Sequence, residues 1–129
     1  MWWLLLLIAV LAAVAAWWAV REYTPVTGLT FVNPDELRGQ VNERQELQML
    51  DVRDAVDYIK HHVPGSINIS MGRLPFVHQS LLASEEPVLI LAENCRQTKK
   101  AARMLKRYGF MRLYAPRHGE GASGCGVYC

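Results

Sequence analysis

Three cysteines are the only thiols in the 129-residue chain, and Cys95 is the one whose surroundings could make it react. It stands beside Arg96, ahead of a run in which Ala101, Ala102, Met104 and Leu105 fall on one helical side. Lys99, Lys100, Arg103, Lys106 and Arg107 fall mostly on the other. The start of such a helix brings the positive end of its dipole and its unpaired N–H groups to the sulfur. Both favour a thiolate, a persulfide or a bound anion. Cys95 is therefore a candidate sulfur carrier, weighed against the plainer reading of a small loop residue without chemistry. Cys125 and Cys129 form a C-x-x-x-C pair among glycines. Two ligands do not make a zinc site, and this pair is read as part of a tail.

A second polar group lies upstream, in Leu50-Asp51-Val52-Arg53, Asp57-Tyr58 and the stretch His61-His62-Val63-Pro64-Gly65-Ser66-Ile67-Asn68-Ile69. Asp51 and Arg53 have the chemistry of a charge-assisted pair that ties a strand to its neighbouring loops. Arg53 would also sit at the C-terminal edge of a sheet, where open α/β sheets bind ligands. Asp57, Tyr58 and His62 are read as holding a helix and a turn together. His61 and His62 lack further ligands, so no metal site is expected, and no cofactor is implied.

The elements that position these residues follow from pattern. Residues 29–32 and 47–52 are strand candidates, and 54–60 is a short helix. The sequence Asn33-Pro34-Asp35-Glu36 has helix-start chemistry and opens a helix to about residue 42. Pro64-Gly65 suits a type II turn feeding a short strand at 67–69. Residues 72–83 read as a weaker helix interrupted by Pro75. Residues 87–91, Pro-Val-Leu-Ile-Leu, are a continuous apolar run suited to a central strand covered on both faces. A helix over 97–108, stopped by Gly109, and a strand over 111–115 complete the series. The basic face of the 97–108 helix, from Lys99 to Arg107, is read as solvated, ahead of the alternative that on an anchored domain it rests against anionic lipid. Alternating strands and helices imply right-handed βαβ units and an α/β fold: a five-stranded, mainly parallel sheet with helices on both faces.

The polar motifs resemble the opening half of a rhodanese domain, whose sequences read (L/I)-(I/V)-D-V-R, then E-Y, then G-H-I-P-G-A-I-N-I at this spacing. The apolar strand, Ala101-Ala102-Arg103-Met104-Leu105 and Gly109-Phe110 resemble the second half, so the likeness runs from about residue 29 to 119. It weakens at the end, where the family has Gly-Gly and a later Trp and this chain has His118-Gly119 and no Trp. The resemblance implies a sulfurtransferase fold with a nucleophilic cysteine after the fourth strand, in a loop of the form C-x-x-G-x-R-S. Aligned without gaps, that anion-binding loop is Ala92, Glu93, Asn94, Cys95, Arg96, Gln97 and Thr98. Ala92 stands where the nucleophile should be, and Gln97 and Thr98 replace the Arg and Ser. Shortening the loop to bring Cys95 to the strand end would force Glu93 and Asn94 into a buried strand. The ungapped reading is preferred, and it leaves Cys95 three residues from the reactive position. Glu93 also sets a negative charge where an anion would bind. A related phosphatase needs an arginine six residues after its cysteine, and from Cys95 that position holds Ala101.

Residues 2–20 contain no charge, Pro or Gly, and as a helix would reach about 28 Å, close to a bilayer's hydrocarbon thickness. Trp2-Trp3 and Trp17-Trp18 mark the two ends, as interfacial indoles do. A signal peptide would carry a basic n-region and a small-residue cleavage site, so an uncleaved anchor is expected. Arg21 and Arg38 on the C-terminal flank place the domain in the cytoplasm, single-pass in the plasma (inner) membrane. The expected organisation is a transmembrane helix at 2–20, a linker at 21–28, the α/β domain at 29–121 and a Cys/Gly tail at 122–129. With 14 basic and 12 acidic residues the net charge is +2, which gives no argument for nucleic acid. The expected partners are membrane lipid through residues 2–20 and either a protein bound by the domain or a sulfur donor and acceptor.

Overall fold

Helix α1 (Trp2–Tyr23) runs three residues beyond the expected span. Nothing in Arg21-Glu22-Tyr23 breaks a helix. The first obstacle is Pro25, which pushes the preceding Thr24 to extended backbone (φ −68°, ψ 132°). At 1.5 Å per residue α1 is about 33 Å long, and its side chains are exposed along its whole apolar length. Among the described residues it is one helix long and apolar enough to cross a membrane, over Trp2–Arg21. The computed structural model describes residues 1–33, 36, 39 and 46–117. Of the helix expected over 33–42, Glu36 and Gly39 are helical. The rest of that segment, and the tail with Cys125 and Cys129, lie outside the described residues.

Five strands follow: β1 (Leu29–Val32), β2 (Gln48–Asp51), β3 (Ile67–Asn68), β4 (Val88–Leu91) and β5 (Leu113–Pro116). They form one sheet in the order β1-β5-β4-β2-β3, and every neighbouring pair is parallel. The apolar run takes the middle position. Val88, Leu89 and Ile90 are all buried, so both faces of β4 are covered, as a parallel strand between helices requires. Around it, Leu50, Val52, Ile69 and Leu113 from the sheet pack with Ala101, Ala102, Leu105 and Phe110.

Three further helices lie wholly within the described residues and connect the strands: α2 (Ala55–Lys60), α3 (Leu74–Leu81) and α4 (Cys95–Arg107). Pro75 does not interrupt α3, as the sequence suggested. It sits in the first helical turn, where the missing N–H would have no helical partner anyway. Helix α4 starts two residues earlier than expected, at Cys95, with Asn94 as its N-cap. Its other end is a Schellman cap: the N–H of Phe110 donates to the carbonyl of Leu105 and that of Gly109 to Lys106, both at 3.2 Å. Gly109 takes the positive φ this needs, +91°. With Phe110 drawn into the core and Met111 left exposed, β5 begins only at Leu113 rather than Met111.

Candidate functional site

The sheet register sets the site. Asp51 is level with Asn68 of β3 on one side and Leu91 of β4 on the other. Three strands therefore release their next residues, Val52, Ile69 and Ala92, at the same C-terminal edge. Two main-chain bonds hold that edge, from Val52 to the carbonyl of Leu91 and from Ile69 to the carbonyl of Asp51, both 2.9 Å. A strand-to-helix loop in this architecture emerges there, and so does the ligand crevice of open α/β sheets.

Asp51 is fully buried and Arg53 half-buried. The Arg53 guanidinium lies on the Asp51 carboxylate, with Nη2 to Oδ2 at 2.7 Å and Nε to Oδ1 at 3.0 Å. Nη2 also donates to the carbonyl of His61 at 2.6 Å. The Arg53 N–H donates to Asp51 Oδ1 at 3.0 Å. Asn68 Nδ2 donates to the carbonyls of Asp51 and Arg53 at 3.2 and 3.0 Å. Donating to the Asp51 carboxylate raises the Arg53 pKa above its ordinary value. Burial opposes this, and the charges of Asp51, Asp57 and Glu93 add to it. The pair joins β2 to the α2–β3 turn, which agrees with the hydrogen-bonding role read from the sequence, and Glu93 is close enough for its charge to be felt.

That turn is fastened from α2. Tyr58 donates from its hydroxyl to the carbonyl of Ser66 at 2.6 Å. Its ring stacks on His62 with centroids 4.5 Å apart, and His62 Nδ1 lies 3.0 Å from the Tyr58 carbonyl oxygen. Gly65 has φ +84° and the N–H of Ser66 donates to the carbonyl of Val63 at 3.0 Å, the geometry of the expected type II turn. Tyr58 and His62 thus act as struts. Asp57 contributes its main chain to α2 and a charge in the first helical turn, with no side-chain hydrogen bond among the described residues.

The loop from Ala92 to Thr98 is closed on itself. The Gln97 N–H donates to Asn94 Oδ1 at 2.9 Å, and Gln97 Oε1 accepts from the N–H of Glu93, also at 2.9 Å. This is a capping box shifted by one residue: the cap side chain takes the third helical N–H, and the third side chain reaches back to the residue before the cap. Gln97 Nε2 points to the carbonyl of Val52 at 3.4 Å, stitching the loop to the Asp51-Val52-Arg53 strand end. Thr98 is buried, and its hydroxyl donates to the Asn94 carbonyl at 3.2 Å. Two of the loop's amide donors, those of Glu93 and Gln97, are therefore bonded to the loop's own side chains. Ala92 packs against the core, while Glu93, Asn94 and Arg96 are exposed.

Cys95 occupies the first helical position and not a strand. It is not a free thiol here but disulfide-bonded. No group of three or more His, Cys, Asp and Glu side chains suited to a metal ion occurs among the described residues. Sequence reasoning missed the roles of Asn94 and Gln97. The pattern Asn94-x-x-Gln97 is a capping-box signature and would have placed the helix start correctly.

A parallel five-stranded sheet with a Leu-Asp-Val-Arg strand end beside the loop that opens α4 is the architecture the sequence resemblance implied. The profile of the rhodanese-like domain matches residues 33–118, more than half of the chain. This chain belongs to the rhodanese-like domain family. Among curated proteins it is similar to the putative sulfur carrier protein YrkF of Bacillus subtilis (strain 168), 28% identical over 82 residues. That match takes in 64% of this chain and 44% of the relative, so the chain spans less than half of that protein's length. Among solved structures it resembles the Alr3790 protein of Anabaena sp. (TM-score 0.60, 22% identity, covering 70% of this chain and 74% of that one). It also resembles the BH2092 protein of Bacillus halodurans (TM-score 0.57, 21% identity, covering 84% and 75%). At these identities the two structures establish the fold.

Proposed function

We propose that this protein is a membrane-anchored rhodanese-like domain that does not transfer sulfur and works as a binding or scaffolding module. One observation carries the reading. The loop that would hold the nucleophile has Ala92 at that position, and its Glu93 and Gln97 amides are bonded to the side chains of Gln97 and Asn94. A methyl group cannot attack a sulfane sulfur, and donors already satisfied within the loop cannot be offered to an anion without breaking those bonds. Glu93, exposed beside them, repels an approaching thiosulfate. The anchor is α1, the linker follows it, and the domain from residue 29 to 121 faces the cytoplasm of the inner membrane, where it presents its surface to a protein partner. Support for the anchor is the length and apolarity of α1, with tryptophans at both ends.

The alternative is a sulfurtransferase that uses Cys95. Its support is the place of Cys95 in the first turn of a 13-residue helix and the likeness to a protein named as a putative sulfur carrier. A thiol reductant must first free the sulfur by disulfide exchange, being itself oxidised to a disulfide. Its thiolate would then attack the sulfane sulfur of thiosulfate, forming a persulfide as the sulfur–sulfur bond breaks and sulfite leaves with the electron pair. Mass analysis of the reduced, purified chain after thiosulfate separates the two readings. The scaffold reading expects no cysteine peptide to gain the mass of one sulfur atom. Persulfide on Cys95, with turnover lost in Cys95→Ala, establishes the alternative.

A further inference from the structure

Where α1 hands the chain on to β1, the basic face of α4 comes back to meet it. Arg103 donates from Nη2 to the carbonyls of Arg21 at 2.8 Å and Thr24 at 3.4 Å. Lys106 donates from Nζ to the carbonyl of Thr27 at 2.6 Å and to its hydroxyl. This face is therefore not simply solvated, as its sequence suggested. With Arg107, Pro25, Val26 and Thr27, these two side chains line an open cavity of about 310 Å³. Among the described residues no carboxylate pairs with Arg103, Lys106 or Arg107. Arg103 and Lys106 meet neutral oxygens, so among the described residues three positive charges stand uncompensated around one cavity. Arg107 makes no hydrogen bond among the described residues.

We infer that this cavity binds the phosphate of an anionic phospholipid in the leaflet from which α1 emerges. The inference rests on the anchor reading above. Its position argues for it: the apolar span ends at Arg21, whose guanidinium lies 5.5 Å from the centre of the Trp17 ring, and the cavity wall begins at Pro25. If α1 crosses the bilayer, tryptophan and arginine mark the interface and the cavity lies at headgroup depth. The chemistry fits as well. A guanidinium has five N–H donors and an ammonium three, and Arg103 reaches its carbonyls through Nη2 alone. The remaining donors suit phosphate oxygens. Pro25 and Val26 supply an apolar wall for the glycerol end of the lipid. Free phosphate has the same headgroup chemistry, but the exit of an apolar helix concentrates lipid there.

The test uses the full chain, delipidated in detergent and titrated with phosphatidylglycerol, with phosphatidylcholine of equal chain length, and with glycerol phosphate. Bound lipid is read by native mass spectrometry. Phosphatidylglycerol is expected to bind tighter than phosphatidylcholine, and Arg107→Gln to weaken it about fivefold, the worth of one juxtamembrane cation. Arg107 makes no hydrogen bond or ion pair among the described residues, so this variant should melt like the wild type. The combined Arg103→Gln and Lys106→Gln variant should weaken binding further. Equal affinity for the two lipids, no effect of Arg107→Gln, or competition by glycerol phosphate as strong as by the lipid overturns the inference. Flotation of the full chain with pure phosphatidylcholine vesicles tests the anchor separately. A chain that floats but has no headgroup preference refutes the site and leaves the anchor standing, whereas one that fails to float overturns both.

Discussion

Restoring the missing nucleophile should not restore the chemistry, and the size of the shortfall follows from the loop's hydrogen bonds. Ala92→Cys adds a sulfur at the strand end, but the Glu93 N–H is bonded to Gln97 Oε1 and the Gln97 N–H to Asn94 Oδ1. A thiolate would have to displace these acceptors. Each hydrogen bond to a charged group contributes about 1.5–3 kcal/mol, and one pKa unit is about 1.4 kcal/mol. Each amide withheld therefore leaves the thiol roughly one to two units higher than an open loop would. The single variant, with Cys95, Cys125 and Cys129 replaced by Ser, should titrate near an ordinary thiol, about 8.5. Adding Gln97→Arg removes the acceptor on Glu93 and brings a cation, and adding Glu93→Gln removes a like charge. The triple change at 92, 93 and 97 should lower the thiol by at least about one unit and allow persulfide to form from thiosulfate. The pH dependence of iodoacetamide alkylation measures the pKa, and intact mass measures the persulfide. A depressed pKa and thiosulfate turnover in Ala92→Cys with Gln97 and Glu93 untouched would refute the closed-loop argument.

Asp51→Asn leaves the Arg53 guanidinium without its counter-charge at a half-buried site, and should cost about 3 kcal/mol, read as a lower urea midpoint with unchanged slope. Loss of less than about 0.5 kcal/mol would mean the pair behaves as a surface ion pair. Asn94→Ala removes the N-cap of α4 and should cost about 1 kcal/mol in the same measurement. An unchanged midpoint would place the helix start elsewhere. The full chain should resist carbonate extraction from membranes, and in intact spheroplasts its domain should survive external protease; release by carbonate counts against the anchor, and digestion reverses the orientation.

The fold was legible because its signals are collective. The apolar run at β4, the alternation of strand and helix, and the two-sided pattern of Ala101, Ala102 and Leu105 against the lysines each involve many residues whose burial adds up. Single-residue rules served where backbone sterics leave little choice, as at Gly65 and Gly109 with their positive φ. Boundaries failed where such rules were applied without position. Pro75 breaks a helix interior but belongs in a first turn, and Arg21-Glu22-Tyr23 resembles a linker only because a charge ends the apolar run, which is no reason for a helix to stop.

The site was half legible. Asp51, Arg53, Tyr58 and His62 could be assigned structural roles because their partners lie within ten residues, in a turn whose geometry Pro64 and Gly65 fix. The loop from Ala92 to Thr98 was judged by what it lacks, a cysteine and an arginine, and the contribution of Asn94 and Gln97 was overlooked although their spacing states it. Both belong to a range of four residues, so a sequence rule suffices. The meeting of Arg103 and Lys106 with Arg21, Thr24 and Thr27 is of another kind. It joins positions about 80 residues apart, and follows only from the strand order, which sets β1 beside β5 and so returns the end of α4 to the start of the domain.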